Sequence, residues 1–231
     1  MIRAVLFDFN GVVVDDEPVH FQLFQRVLEE EGMELKKKDY FEMFLGMDDH
    51  DCLIEASTHM GNPLSEEKIQ EVTDRKNRYY AEEVYQNPPF VPGVLEFIQE
   101  LGKTHFLGVV SGALRSEIEE LLKIGGVMKE INVIVAAGEV EQGKPDPQGF
   151  IRGMELLNRD FVASSERLLP EECLAFEDSS WGVEAALGAG MSVVGLNTTY
   201  QEKELPGALI YLKDFSGVQA PGLLNQVEAK L

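Results

Sequence analysis

The chain has 231 residues, 44% of them hydrophobic, so it can bury one large core or two modest ones and is not a disordered protein. Its formal net charge of −21 argues against nucleic acid and anionic membranes as partners, and it repels free phosphorylated molecules at long range. Any phosphate site on it must therefore be locally positive, most simply through a bound cation.

In chain order, the first apolar run is Ala4-Val5-Leu6-Phe7, too short for a signal peptide and suited to a buried strand. Residues 16–87 then show helical patterns and no strand. Phe21, Phe24, Val27 and Leu28 share one helix face, and Gly32 is its stop. Phe41, Phe44 and Met47 are expected in a second apolar cluster, and residues 66–85 read as a long charged helix. Pro88-Pro89 and Pro92-Gly93 end this block. Further on, Leu95, Ile98 and Leu101 fit a helix, as do Leu114, Ile118, Leu121 and Leu122. Strands are expected at 106–110, 131–136, 174–176, 193–196 and 208–212. Runs apolar at consecutive positions suit a parallel sheet covered on both faces. The resulting expectation is an α/β fold: a doubly wound, Rossmann-like parallel sheet core of residues 1–15 and 88–231, with an inserted all-helical cap domain at 16–87. Linkers fall near residues 15–18 and 87–92.

Cys52 and Cys173 stand far apart in no metal-ligand spacing, and Cys173 reads as a buried strand thiol. No apolar run approaches a membrane span. A cytoplasmic monomer without nucleic-acid or membrane partners is the default expectation.

The chemistry gathers at the ends of the expected strands, where open parallel sheets bind ligands. The first ends in Asp8-Phe9-Asn10-Gly11 and the second in Ser111-Gly112. The third is followed by Gly143-Lys144-Pro145-Asp146-Pro147, and the fourth ends in Glu177-Asp178-Ser179. Carboxylates, a hydroxyl and a lysine converging on one spot suit an oxyanion held by a hard divalent cation. Asp8 can attack a phosphorus atom and share its other oxygen with Mg2+; Asp178, with Glu177 through water, completes the metal site. Ser111 and the Gly112 amide can hold phosphoryl oxygens, and Lys144 can neutralise the transferring group. Trp181 is expected to pack beside the sheet.

These four ordered segments, together with Gly182, Ala185, Ala186, Ala189 and Gly190 after the fourth, resemble the motifs of the haloacid dehalogenase superfamily. The match runs along nearly the whole chain, and the helical insertion is similar to the cap of its beta-phosphoglucomutase and phosphoglycolate phosphatase branch. The resemblance implies a magnesium-dependent phosphatase acting on a small phosphorylated metabolite held between core and cap, through an aspartyl phosphate on Asp8. A phosphomutase and a non-catalytic phosphometabolite-binding protein are the alternatives. It also implies that the backbone carbonyl at position 10 touches the metal, and that His20 and Lys76 in the cap touch substrate. Two departures stand out. Where such enzymes usually carry a second aspartate for acid–base work, this chain has Asn10, whose amide cannot exchange a proton. A naturally slow or specialised member, a binding pseudoenzyme and an engineered Asp replacement all fit that residue. In Gly46-Met47-Asp48-Asp49-His50-Asp51, where mutase-like relatives place an arginine, Asp49 would repel a second phosphate.

Overall fold

The computed structural model describes every residue except Gly46 and Asp48, so that part of the Gly46-to-Asp51 segment lies outside the described residues. The chain divides into two compact units, one of Met1–Asp15 and Pro89–Leu231 and the other of Asp16–Pro88.

The first unit is built on a six-stranded sheet: β1 (Ala4–Phe7), β2 (Phe106–Val110), β3 (Val133–Val135), β4 (Cys173–Glu177), β5 (Ser192–Leu196) and β6 (Ile210–Leu212). The order is β3-β2-β1-β4-β5-β6, with every pair parallel. Parallel pairing needs crossovers that cover both faces, and all four residues of β1 are buried as that requires. Alternation then sorts the side chains. Ala4, Leu6, Cys173 and Ala175 turn to a cluster containing Phe150, Leu157, Val183 and Ala186. Phe7 and Phe176 stack with ring centroids 5.1 Å apart, and Phe97 and Phe215 pack against Phe176 at 5.5 Å each. The expected strands at 131–136 and 208–212 are shorter in the structure, and β6 is only half-buried at its three residues, as suits a sheet edge.

The second unit contains α1 (Glu17–Glu30), a single turn α2 (Lys37–Asp39) running into a π-helical turn (Tyr40–Phe44), α3 (Asp49–His59) and α4 (Glu66–Val84). Among the described residues it has no strand, as a helical cap requires. Pro18 sits in the first turn of α1, where its missing N–H costs nothing, and Gly32 follows its end at φ 77°. The Ser65 hydroxyl caps α4 by accepting from the Lys68 N–H. Phe21, Phe24, Val27 and Leu28 pack on Phe44, Leu53, Ile69 and Val72. Phe41 and Met47 are corrections: both are exposed, and only Phe44 of the expected trio joins the cluster.

The core unit adds α5 (Val94–Leu101), α6 (Arg115–Ile124), α7 (Gln148–Asp160), α8 (Ser180–Gly188) and α9 (Ala220–Glu228). Leu114 is not on the buried face of α6 but at its N-cap position and exposed, because the helix starts one residue later. Trp181 also differs from expectation: it is 52% exposed in the first turn of α8 rather than packed beside the sheet. Truncating Phe97, which is buried among the aromatic rings, leaves a cavity between sheet and helix. Phe97→Ala is expected to cost about 3 to 5 kcal/mol in urea unfolding; a loss of about 1 kcal/mol or less would show that the ring cluster does not hold this face.

Candidate active site

Asp8 follows β1 directly. Its N–H donates to the Phe176 carbonyl at 2.9 Å, continuing the β1–β4 ladder, so Asp8 stands beyond the carboxyl edge of the sheet beside the end of β4. The turn after it is apolar and buried. Val13 and Val14 donate their N–H groups to the Phe9 carbonyl, and Phe9, Val12, Val13 and Val14 are at most 1% exposed. Gly11 takes φ 78°, and a Cβ there would lie 2.0 Å from Asp178 Oδ2, so only glycine lets this turn press against Asp178.

Glu177 closes β4 and Asp178 follows it; they are 0% and 5% exposed. Glu177 Oε2 accepts the Asp178 N–H at 3.2 Å and the Ser179 hydroxyl at 3.3 Å. That same hydroxyl accepts the Gly182 N–H at 3.0 Å and so caps α8. A Cβ on Gly182 would fall 1.9 Å from the Glu177 carboxyl carbon, so the first turn of α8 leaves room for Glu177 only because glycine stands there.

Lys144 arrives on the loop between β3 and α7. Its ammonium donates to Asp8 Oδ1 at 2.5 Å and lies 2.5 Å from Glu177 Oε1. Oxygens of Asp8, Glu177 and Asp178 all fall within 4.8 Å of one another. Among the described residues, these are the acids grouped closely enough to share one metal ion. Three carboxylates against one ammonium leave negative charge uncompensated where little water reaches. Burial, before any other effect, raises the Glu177 carboxyl; Lys144 pulls it down and Asp8 pushes it up again. Burial and then the charges of Asp8 and Glu177 raise Asp178 well above the usual aspartate value. Burial works against the Lys144 charge, but Asp8 and Glu177 outweigh it and hold the ammonium above the ordinary lysine value. An all-oxygen donor set with excess negative charge fits a hard divalent cation and not a soft one.

Ser111 extends β2, its N–H donating to the Val135 carbonyl at 2.9 Å. Its hydroxyl lies 3.4 Å from Asn10 Oδ1 and accepts the Ala113 N–H at 3.1 Å. Ser111 therefore stands beside the turn after β1 and caps no helix, since α6 begins at Arg115. Gly112 follows it and is exposed. The structure thus gathers Asp8, Asn10, Ser111, Lys144, Glu177 and Asp178 in the core unit.

His20 and Lys76 meet one another within the helical unit. Lys76 is 0% exposed on α4, donating to both Asp49 oxygens at 2.6 and 2.8 Å and to His20 Nδ1 at 2.8 Å, with its ammonium 4.4 Å from the Phe24 ring centre. His20 Nε2 lies 3.4 Å from Asp16, which also accepts the Tyr80 hydroxyl. A solvated α4 charge at position 76 is ruled out by this burial. The charge of Asp49 is not free to repel an anion, as its residue type alone suggests, because it is spent on Lys76.

Sequence reading missed Thr198. Its hydroxyl donates to the Gly11 carbonyl at 2.5 Å. The available signal was position, since Asn197-Thr198-Thr199 directly follows a strand end on the ligand-binding edge of the sheet.

A parallel sheet with its reactive groups gathered beyond the carboxyl ends of β1 and β4 defines a Rossmann-like α/β enzyme. The family model for haloacid dehalogenase-like hydrolases matches residues 5–196, and the chain belongs to that family. Phosphorylated carbohydrates phosphatase of Thermotoga maritima is 31% identical over 200 residues, 82% of each chain. Validoxylamine A 7'-phosphate phosphatase of Streptomyces hygroscopicus subsp. limoneus is 27% identical over 222 residues, 96% of this chain and 98% of that one. The crystal structure of beta-phosphoglucomutase from Clostridium difficile shares the fold, with a TM-score of 0.82 over 99% of this chain and 98% of that one, at 20% identity. Among the described residues, no helix is long and apolar enough to cross a membrane.

The space under Gly182 yields a test. Gly182→Ala must push the Glu177 carboxylate off its present place and is expected to cut hydrolase turnover by about 10²-fold in a chain that still folds by circular dichroism. Turnover equal to the parent would show that the position of Glu177 does not matter.

Proposed function

We propose that the chain is a magnesium-dependent phosphoric monoester hydrolase, acting on a small phosphorylated metabolite through an aspartyl phosphate on Asp8. The observation that carries this reading is the convergence of Asp8, Lys144, Glu177 and Asp178 at one buried, negatively charged edge of the sheet. Relatives that are phosphatases of phosphorylated small molecules support it.

In this reading an Asp8 oxygen attacks phosphorus, and the bond from phosphorus to the substrate oxygen breaks. The departing oxygen takes a proton. Water then attacks the phosphorus of the aspartyl phosphate, and the bond to the Asp8 oxygen breaks in turn. Asp8, the Asn10 carbonyl, Asp178 and, through water, Glu177 would hold Mg2+, which supplies positive charge to the phosphoryl oxygens. Lys144 holds its proton throughout and adds a second positive charge beside Asp8. The Ser111 hydroxyl and the Gly112 N–H orient the phosphoryl oxygens.

Asn10 is the weak point. Its amide holds no exchangeable acid proton for the departing oxygen and no base for the incoming water, so both proton transfers fall to solvent. Substrates with good leaving groups suffer least. His20 is the proposed substrate contact of the cap, and Lys76, buried and bonded to His20 Nδ1, would reach a substrate only by leaving Asp49. With Lys76 already paired to Asp49, that cluster offers no net positive charge to a second phosphate. This favours hydrolysis of a monoester over a phosphomutase cycle through a bisphosphate.

Hydrolysis of an aryl phosphate tests the reading. Turnover is expected to require Mg2+, to vanish in Asp8→Asn and to rise by about 10² to 10⁴ in Asn10→Asp. Hydrolysis that survives Asp8→Asn, or phosphoester binding without turnover in both the parent and Asn10→Asp, would overturn it.

A further inference from the structure

Asn10 is followed by Gly11, and no other asparagine in the chain precedes a glycine. Asparagine is chemically labile, and in this dipeptide no Cβ obstructs attack by the glycine nitrogen on the side-chain amide. A bond forms between the Gly11 nitrogen and Asn10 Cγ, while the bond from Cγ to the side-chain nitrogen breaks. That nitrogen leaves as ammonia, taking the proton of the Gly11 N–H. Water then opens the cyclic imide, giving aspartate or the isomer whose backbone runs through the side-chain carbonyl. The folded turn opposes the first step. The Gly11 N–H that must be lost donates to the Val14 carbonyl at 2.6 Å, and Asn10 forms a bridge with Val14. The Gly11 carbonyl accepts the Thr198 hydroxyl at 2.5 Å, and Gly11 presses so closely on Asp178 that a Cβ would overlap it. The amide under attack is held as well, its Oδ1 lying 3.4 Å from the Ser111 hydroxyl. Swinging the Gly11 nitrogen towards Asn10 Cγ requires these contacts to part.

We propose that Asn10-Gly11 is a deamidation site held closed by the folded turn, and that the aspartate formed when the turn opens supplies the proton-transfer group absent at position 10. The second half rests on the hydrolase reading of this site; the first does not. Aspartate has nearly the shape of asparagine but gives up and recovers a proton, so it can serve the departing oxygen and the incoming water. The isomer instead lengthens the backbone just before a glycine that is already pressed on Asp178, and it is expected to restore nothing. Asn10 is half-buried, so water reaches the imide once the turn has opened.

Freshly purified protein held in alkaline buffer, either folded or unfolded in urea, tests both halves. Peptide mass spectrometry after incubation in heavy-oxygen water reads residue 10 directly, because the new carboxyl carries a labelled oxygen; this mapping needs no refolding. The unfolded chain is expected to convert, and the folded protein to convert at least about tenfold more slowly, since attack waits for local opening of the turn. After refolding by dilution, aryl phosphate turnover is expected to rise with the fraction of aspartate at position 10. Equal rates in folded and unfolded protein, or an unfolded chain that keeps its asparagine, would overturn the closed site. Conversion to aspartate without a gain in turnover, where recombinant Asn10→Asp is more active than the parent, would overturn the restoring role. An Asn10→Asp protein no more active than the parent would count against the hydrolase reading instead, and the mapped site would stand.

Discussion

One ammonium among three buried carboxylates is the constraint around which the core unit is arranged. Lys144 contacts Asp8 and Glu177 at 2.5 Å, and with all three carboxylates ionised the group carries more negative than positive charge. A fold tolerates such an imbalance when something positive completes it. The surrounding architecture holds the groups together against their repulsion: adjacent β1 and β4 set Asp8 beside Glu177, Gly11 admits Asp178, and Gly182 with the Ser179 cap makes room for the Glu177 side chain. Each of these features stabilises a position the charges by themselves would abandon.

The helical unit makes the contrast clear. There Lys76 is also buried, but Asp49 matches it with both oxygens and His20 takes a further hydrogen bond. There the ammonium has one carboxylate to itself; in the core one ammonium is shared by two. Against a net charge of −21, the positive charge in the core cluster is that of Lys144, and the three acids beside it could hold a cation.

The fold class and the residues of the core site were legible because buried parallel strands are written as consecutive apolar runs, and because open sheets place their chemistry at strand ends. Asp8, Glu177 and Asp178 stood at such ends and come together there with Lys144, while Ser111 stands beside Asn10. What depends on three-dimensional partners was not legible. Lys76 lies in a charged helix, and only the approach of α3 and α1 reveals its pairing with Asp49 and His20. Thr198 sits far in sequence from the Gly11 carbonyl it serves, and nothing in its neighbours names that acceptor. Phe41, Met47 and Trp181 were assigned to interiors on hydrophobicity alone, which does not fix which side of a turn or helix a residue occupies.

The claim that Asp8 is the nucleophile of a phosphoryl site is tested most directly by whole-protein mass spectrometry after exposure to acetyl phosphate and Mg2+. Because Asn10 cannot activate the water that would release it, the phosphorylated protein should persist. The expected result is one added phosphoryl group, mapped to Asp8, absent when Mg2+ is chelated and absent in Asp8→Asn. A protein that hydrolyses phosphoesters yet carries no such adduct, or carries it on another residue, would contradict the account.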